Sequence, residues 1–178
     1  ELPTLAEREA FIETVAPLRV VPDSVNAALP EIASVGRSAP PLDMLRTTVS
    51  LLGAHLGFKP SLDVTADELR HEALRVCAVV PTLLTSLHRL QHDLVPIAPD
   101  ASLPYAANYL FMLTGNVPPA EHARAVEQYL ISTIDHGFNA STFTARVITS
   151  TGADLAAAVV GGIGALSGPL HGGAPSRA

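Results

Sequence analysis

The sequence predicts an all-α domain, and three observations carry that prediction. Apolar residues recur at helical spacing along the whole chain. Alternating apolar and polar runs bounded by hairpin turns are absent. Pro, Gly and N-capping residues punctuate the chain at intervals suited to short and medium helices joined by short loops. With 178 residues, 48% apolar and 16% charged, the chain can bury one core and lacks the polar composition of disorder. Residues 1–178 are therefore read as a single all-helical domain.

Each element has a local reason. Thr4 and Glu7 have capping-box spacing, which predicts a helix from Leu5 to about Val15, before Pro17. A short helix is expected over Ser24–Leu29, closed by Pro30. Pro41 suits a first helical turn, and the helix through Leu45, Val49 and Leu52 is expected to stop at Gly53. Thr65 and Glu68 repeat the capping-box spacing and open a helix that Pro81 should kink or break, because proline lacks the N–H and crowds the preceding turn. Helix should resume through Leu84, Leu87 and Leu90. Residues 95–100 read as a loop, and Ser102 is expected to cap a helix over Leu103–Leu113, ended by Gly115. Another helix runs from near Pro118 to about Ile134. Asp135 to Phe138 form a corner, Asn139 caps a helix through Val147, and Asp154 caps the last one, Leu155–Leu166.

Composition narrows the function classes. The formal net charge is −6 and the arginines are scattered singly (Arg8, Arg19, Arg37, Arg46), so the basic stripe of a nucleic-acid binder is missing. Cys77, the one cysteine, has no internal disulfide partner and is expected to be a small buried hydrophobe. The start, Glu1-Leu2-Pro3-Thr4, lacks the basic and apolar regions of a signal peptide. The longest apolar run, Leu155–Leu166, is shorter than the roughly 20 residues that cross a bilayer. These features point to a soluble cytoplasmic protein without membrane or nucleic-acid partners. The missing initiator Met points to a trimmed or partial chain.

Two short patterns could carry chemistry. In Asp135-His136-Gly137-Phe138-Asn139 and in Gly168-Pro169-Leu170-His171-Gly172-Gly173, a histidine stands at a helix boundary beside glycine. Glycine lets the main chain approach a ligand closely, and a fixed neutral imidazole can polarise a carbonyl oxygen. Taken alone, each histidine is more often a helix cap or a solvated residue than a site. Asp135 and His136 are sequence neighbours, which seldom converge on one ion, so no metal is expected. The run Gly161–Gly168 lacks the G-x-G-x-x-G spacing and a preceding strand, and reads as small residues allowing close helix packing. His88 and His92, spaced i, i+4, have no third ligand in view and read as surface histidines. The G-x-S-x-G elbow of serine hydrolases is absent.

Longer stretches resemble a known family. Asp135-His136-Gly137-Phe138-Asn139-Ala140-Ser141-Thr142-Phe143-Thr144-Ala145-Arg146 is similar to citrate synthases. So is Gly161-Gly162-Ile163-Gly164-Ala165-Leu166-Ser167-Gly168-Pro169-Leu170-His171-Gly172-Gly173-Ala174. Leu42–Thr47, Ala98–Asp100 and Tyr105–Gly115 follow the same pattern in the same order. The resemblance implies condensation of oxaloacetate with acetyl-CoA, then hydrolysis of the citryl thioester. It implies no cofactor, with acetyl-CoA as substrate, and a homodimer. In the family an aspartate removes a methyl proton, one histidine hydrogen-bonds the thioester oxygen, and a second protonates the ketone. The resemblance gives the first histidine's role to His171, oxaloacetate binding to His136, and support of the site to Asn139. It also implies that the His136 and His171 side chains face one cleft.

The departures are informative. Thr133 stands where the family often has histidine, Pro40-Pro41 where it has His-Pro, and Pro175 where it has Asn. The family's second catalytic histidine, its aspartate, its carboxylate-binding arginines and most of its CoA site lie beyond the equivalent of His171. The expectation is thus part of a large domain, ending at the junction with the small domain and inactive by itself. A 2-methylcitrate synthase using propionyl-CoA and an inactive dimerisation or structural fragment are the alternatives.

Overall fold

The computed structural model describes residues 3–135 and 137–172, and among them the secondary structure is helical throughout. The α-helices are α1 (Leu5–Val15), α2 (Asp23–Val35), α3 (Pro41–Leu56), α4 (Ala66–Gln91), α5 (Tyr105–Thr114), α6 (Ala120–Ser132), α7 (Ala140–Thr149) and α8 (Leu155–Leu166). A 3-10 turn, Ala16–Arg19, follows α1, with Pro17 in its first turn.

Four of the five predicted caps are present. Thr4 and Thr65 each complete a capping box, with Glu7 and Glu68 respectively. Asn139 and Asp154 accept from backbone N–H groups three residues on. Each box satisfies donors that the first helical turn would leave unpaired.

Two expected helix ends and one expected break are overturned. α2 runs through Pro30 to Val35. Pro30 and Asn26 both lie on the exposed face, so the Asn26 carbonyl that loses its helical donor is open to water. α3 continues past Gly53 to Leu56, where Gly57 ends it in the left-handed conformation (φ 65°). Gly53 is there for packing: a Cβ on it would collide with the Cβ of Ala156 on α8. The expected break at Pro81 also does not occur, since α4 is one helix of 26 residues. Pro81 cannot donate to the carbonyl of Cys77, four residues back. The Tyr105 hydroxyl donates to that carbonyl instead, at 3.0 Å. A side chain from α5 thus replaces the missing backbone bond.

Two smaller expectations also change. α5 starts at Tyr105 after Pro104, and Ser102 instead bonds Asp100 through both its N–H and its hydroxyl. Cys77 is exposed rather than buried. It falls on the side of α4 turned away from the core face made by Val76, Val79 and Leu83.

The core lies between α2, α3 and α4, where Val25, Leu29, Val49, Leu52, Val79, Leu83 and Leu87 are fully buried. By length and composition α4 could cross a membrane, but half of its apolar window is buried inside the fold, as befits a central core helix. Arginines pin the entry to this core. Arg75 donates to the carbonyls of Leu18 and Val20, and buried Arg19 donates to Leu103. α8 lies against α3 on one side and α7 on the other. That placement positions the site.

Candidate functional site

α7 and α8 form a helical hairpin whose contact depends on small residues. A Cβ on Gly161 would run into the Ile148 side chain, and one on Gly162 would lie 3.6 Å from the Ser141 carbonyl oxygen. Gly161 therefore lets the middle of α8 approach the end of α7 closely, whereas a Cβ on Gly162 would make only an ordinary contact with the start of α7. This agrees with the packing reading of the Gly161–Gly168 run.

Beyond α8 the chain turns at once. The Ser167 N–H closes the helix on Ile163, Gly168 bonds back to Ala165, and the His171 N–H donates to Gly168 at 3.0 Å. A Cβ on Gly172 would sit 2.7 Å from the Leu166 carbonyl oxygen, so this position requires glycine. The turn carries half-buried His171 back to the N-terminus of α7, where its Nε2 lies 3.0 Å from the Ser141 hydroxyl. Ser141 in turn lies 2.8 Å from Asn139 Oδ1, which also accepts the Thr142 N–H at 2.8 Å.

The chain Asn139–Ser141–His171 has a definite proton logic. Asn139 Oδ1 can only accept, and the Thr142 N–H fixes which end of the amide points here. The single Ser141 proton therefore goes to Asn139, and the serine lone pair receives Nε2–H from His171. In that arrangement a neutral imidazole presents Nδ1 as an acceptor. Rotating the serine proton toward Nε2 transfers the ring proton role to Nδ1, which becomes a donor. The rotation gives up one neutral hydrogen bond, about 1 kcal/mol.

The surroundings are open. Leu170 is 99% exposed and Phe138 68% exposed, with Arg146 lying 5.2 Å over the Phe138 ring. Asp135 accepts the Gly137 N–H at 2.7 Å, and Gly137 has φ 67°, so the corner requires glycine too. His136 lies outside the described residues, and with it the expectation that it shares a cleft with His171. Asn139 caps α7 and accepts the Ser141 hydroxyl, which places it next to the His171 contact. Ser141 was not singled out, because a hydroxyl in a first helical turn is ordinary until a histidine from another element meets it. No cluster of three metal-ligating side chains occurs among the described residues.

Comparison with known proteins gives a consistent picture. The family model for the citrate synthase C-terminal domain matches residues 1–178. The chain is 44% identical over 174 residues to a 2-methylcitrate synthase of Mycobacterium tuberculosis, covering 98% of this chain and 42% of that protein. It is 39% identical over 174 residues to a citrate synthase of Deinococcus radiodurans, covering 98% and 45%. Among solved structures it resembles citrate synthase from Pyrobaculum aerophilum (TM-score 0.87, 32% identity, 99% of this chain and 45% of that one). It also resembles the ternary complex of citrate synthase from Thermoplasma acidophilum with carboxymethyl coenzyme A and oxaloacetate (TM-score 0.89, 28% identity, 100% and 45%). The chain spans less than half the length of these relatives.

Proposed function

The chain belongs to the citrate synthase family, and on that premise we propose that it supplies one wall of an active site condensing an acyl-CoA with oxaloacetate. The observation that carries the reading is the hydrogen-bonded chain from Asn139 through Ser141 to His171 Nε2. It holds the ring by one nitrogen and leaves Nδ1 for a substrate. A thioester methyl is weakly acidic, so the charge that develops on the thioester oxygen as the enol forms needs a fixed donor. With the Ser141 proton turned to Nε2, Nδ1–H of His171 is such a donor, and one such bond is worth on the order of 10²–10³ in rate. His136 is assigned to oxaloacetate and Asn139 to orienting Ser141. No cofactor takes part.

Acetyl-CoA is the leading acyl donor. Propionyl-CoA is the second reading, favoured by the 44% identity to a 2-methylcitrate synthase. Residues 1–178 by themselves are expected to be inactive, because the family's proton-abstracting aspartate has no assigned counterpart here. General acid–base groups typically contribute 10²–10⁴-fold. We further assign the family's homodimer to the α6–α7 side, where neither helix buries a residue and Phe143 and Val147 stand exposed. The cytoplasm is the proposed location.

The test is a thiol-release assay with oxaloacetate and either acetyl-CoA or propionyl-CoA. The full-length protein should turn over at least one donor, and residues 1–178 alone neither. Turnover by residues 1–178 at a comparable rate would mean that the catalytic residues are misplaced.

A further inference from the structure

We propose that His88, on the last turn of α4, and His92, its C-cap residue, form a two-histidine chelate for a late first-row transition-metal cation, Cu²⁺ or Ni²⁺ before Zn²⁺. This site is separate from the His171 region and does not depend on the condensation reading.

The geometry starts from the spacing. Residues four apart on a helix share one face, and the two imidazole rings lie with centroids 4.2 Å apart, tilted by 37°. The His92 ring is held: its Nδ1 donates to the His88 carbonyl at 2.7 Å. A nitrogen that donates to a carbonyl carries the proton, so Nε2 of the neutral ring is the free lone pair. A carbonyl behind the distal nitrogen is the usual outer support of a metal-bound imidazole. Both rings are exposed, so an ion and its waters can reach them.

The neighbouring charges do not block the place. Arg89, between the two histidines in sequence, is turned away: its Nε donates to the Val95 carbonyl at 2.6 Å and its Nη1 to Leu113 at 3.0 Å. Asp93 is engaged by Arg37 at 2.7 Å. His88 also borders a cavity of about 270 Å³ between α3, α4 and α5, into which Thr85, Gln91 and Tyr109 face. This leaves room for water to complete the coordination shell.

Two protein nitrogens do not make a structural zinc site, which needs four protein ligands. They do make a chelate completed by water, and for imidazole donors affinity rises along the series to Cu²⁺. The sequence reading discounted the pair because it sought a third ligand. A chelate needs only the fixed spacing, which the helix supplies. Because the spacing exists only in the folded helix, the ion should also stabilise the fold.

The experiment titrates Cu²⁺ into the full-length protein in a non-chelating buffer, followed by electron paramagnetic resonance. One saturable ion per chain with two-nitrogen hyperfine structure is expected. His88→Gln and His92→Gln should each weaken binding on the order of 10²-fold, because the second ligand otherwise binds intramolecularly. Unchanged affinity in either variant, or no saturable one-to-one binding, overturns the proposal. Circular dichroism checks that the variants fold. On the unsubstituted protein, Cu²⁺ should protect both histidines from diethyl pyrocarbonate, read by peptide mass; failure to protect either one also overturns it.

Discussion

α4 and α6 are both amphipathic helices, yet they meet opposite fates. α4 buries Val76, Val79, Leu83 and Leu87 against α2 and α3, whereas α6 buries nothing and rests on α5. Tyr129 and Ile131 of α6 are 67% and 64% exposed, and Ile134 just beyond is 86% exposed. Apolar periodicity therefore identifies a helix in both cases but does not say what covers it. In α4 the cover is the chain itself. In α6 and α7 the apolar side chains stay exposed among the described residues, and the proposed homodimer would cover them.

The sharpest way to break that contrast is truncation. Leu83→Ala should cost about 2–5 kcal/mol of stability, as expected for a fully buried leucine. Ile131→Ala in residues 1–178 should fall within about 0.5 kcal/mol, as for a surface site. Chemical denaturation of both variants checks this. A large loss at Ile131 in a monomeric sample would mean that α6 is covered from within the chain.

A second, smaller effect concerns Pro81. Tyr105→Phe should cost about 1–3 kcal/mol, because it leaves the Cys77 carbonyl without a donor. In a Pro81→Ala background the restored amide can donate to that carbonyl, so the tyrosine change should cost less. A double-mutant cycle measures the coupling, and a coupling of zero removes this account of the unbroken helix. Burial pushes the Tyr105 phenol up to about 12, ahead of a smaller effect of Cys77 and against the opposing Arg19, so this donor keeps its proton throughout the physiological range.

The smallest effect is electrostatic. The Glu72 carboxyl lies above its ordinary value of 4.5, first through burial and then through Glu68 and Asp154, opposed by His71 and Lys59. One of its oxygens is buried without a hydrogen-bond partner among the described residues. A carboxyl raised in the folded state contributes its stability in full below the unfolded value, and that stability is lost as pH rises through the folded value. Glu72→Gln should therefore stabilise the fold at pH 7 and have little effect below pH ~4, where the carboxyl is protonated in both states. Thermal melting at the two pH values reads it; a destabilised variant at pH 7 reverses the sign and contradicts the cause.

The same contrast explains what the sequence could reveal. Caps were legible at Thr4, Thr65, Asn139 and Asp154, because each acts within one helical turn. Pro30 and Gly53 read as helix ends, and Pro81 as a kink or break, yet the helices run on because their local cost is offset elsewhere: by solvent, by Ala156 and by Tyr105. The family resemblance singled out His171 and Asn139 as candidate site residues, and the structure links them through Ser141. Ser141 became visible only when the turn after α8 brought His171 to it, a contact across 30 positions.

The central claim is that His171 works at the thioester oxygen with its ring set by Ser141 and Asn139. Steady-state kinetics of the full-length protein tests it most directly, comparing His171→Ala and Ser141→Ala with the unsubstituted enzyme. The account predicts that His171→Ala lowers kcat on the order of 10²–10³-fold. Ser141→Ala should lower kcat by a smaller factor, on the order of 10-fold, with KM for the acyl-CoA little changed, because an interaction made chiefly in the transition state is lost. Ser141→Thr, which keeps the hydroxyl, should restore most of the rate. An unchanged kcat in His171→Ala, or a Ser141→Ala defect confined to KM, would contradict it.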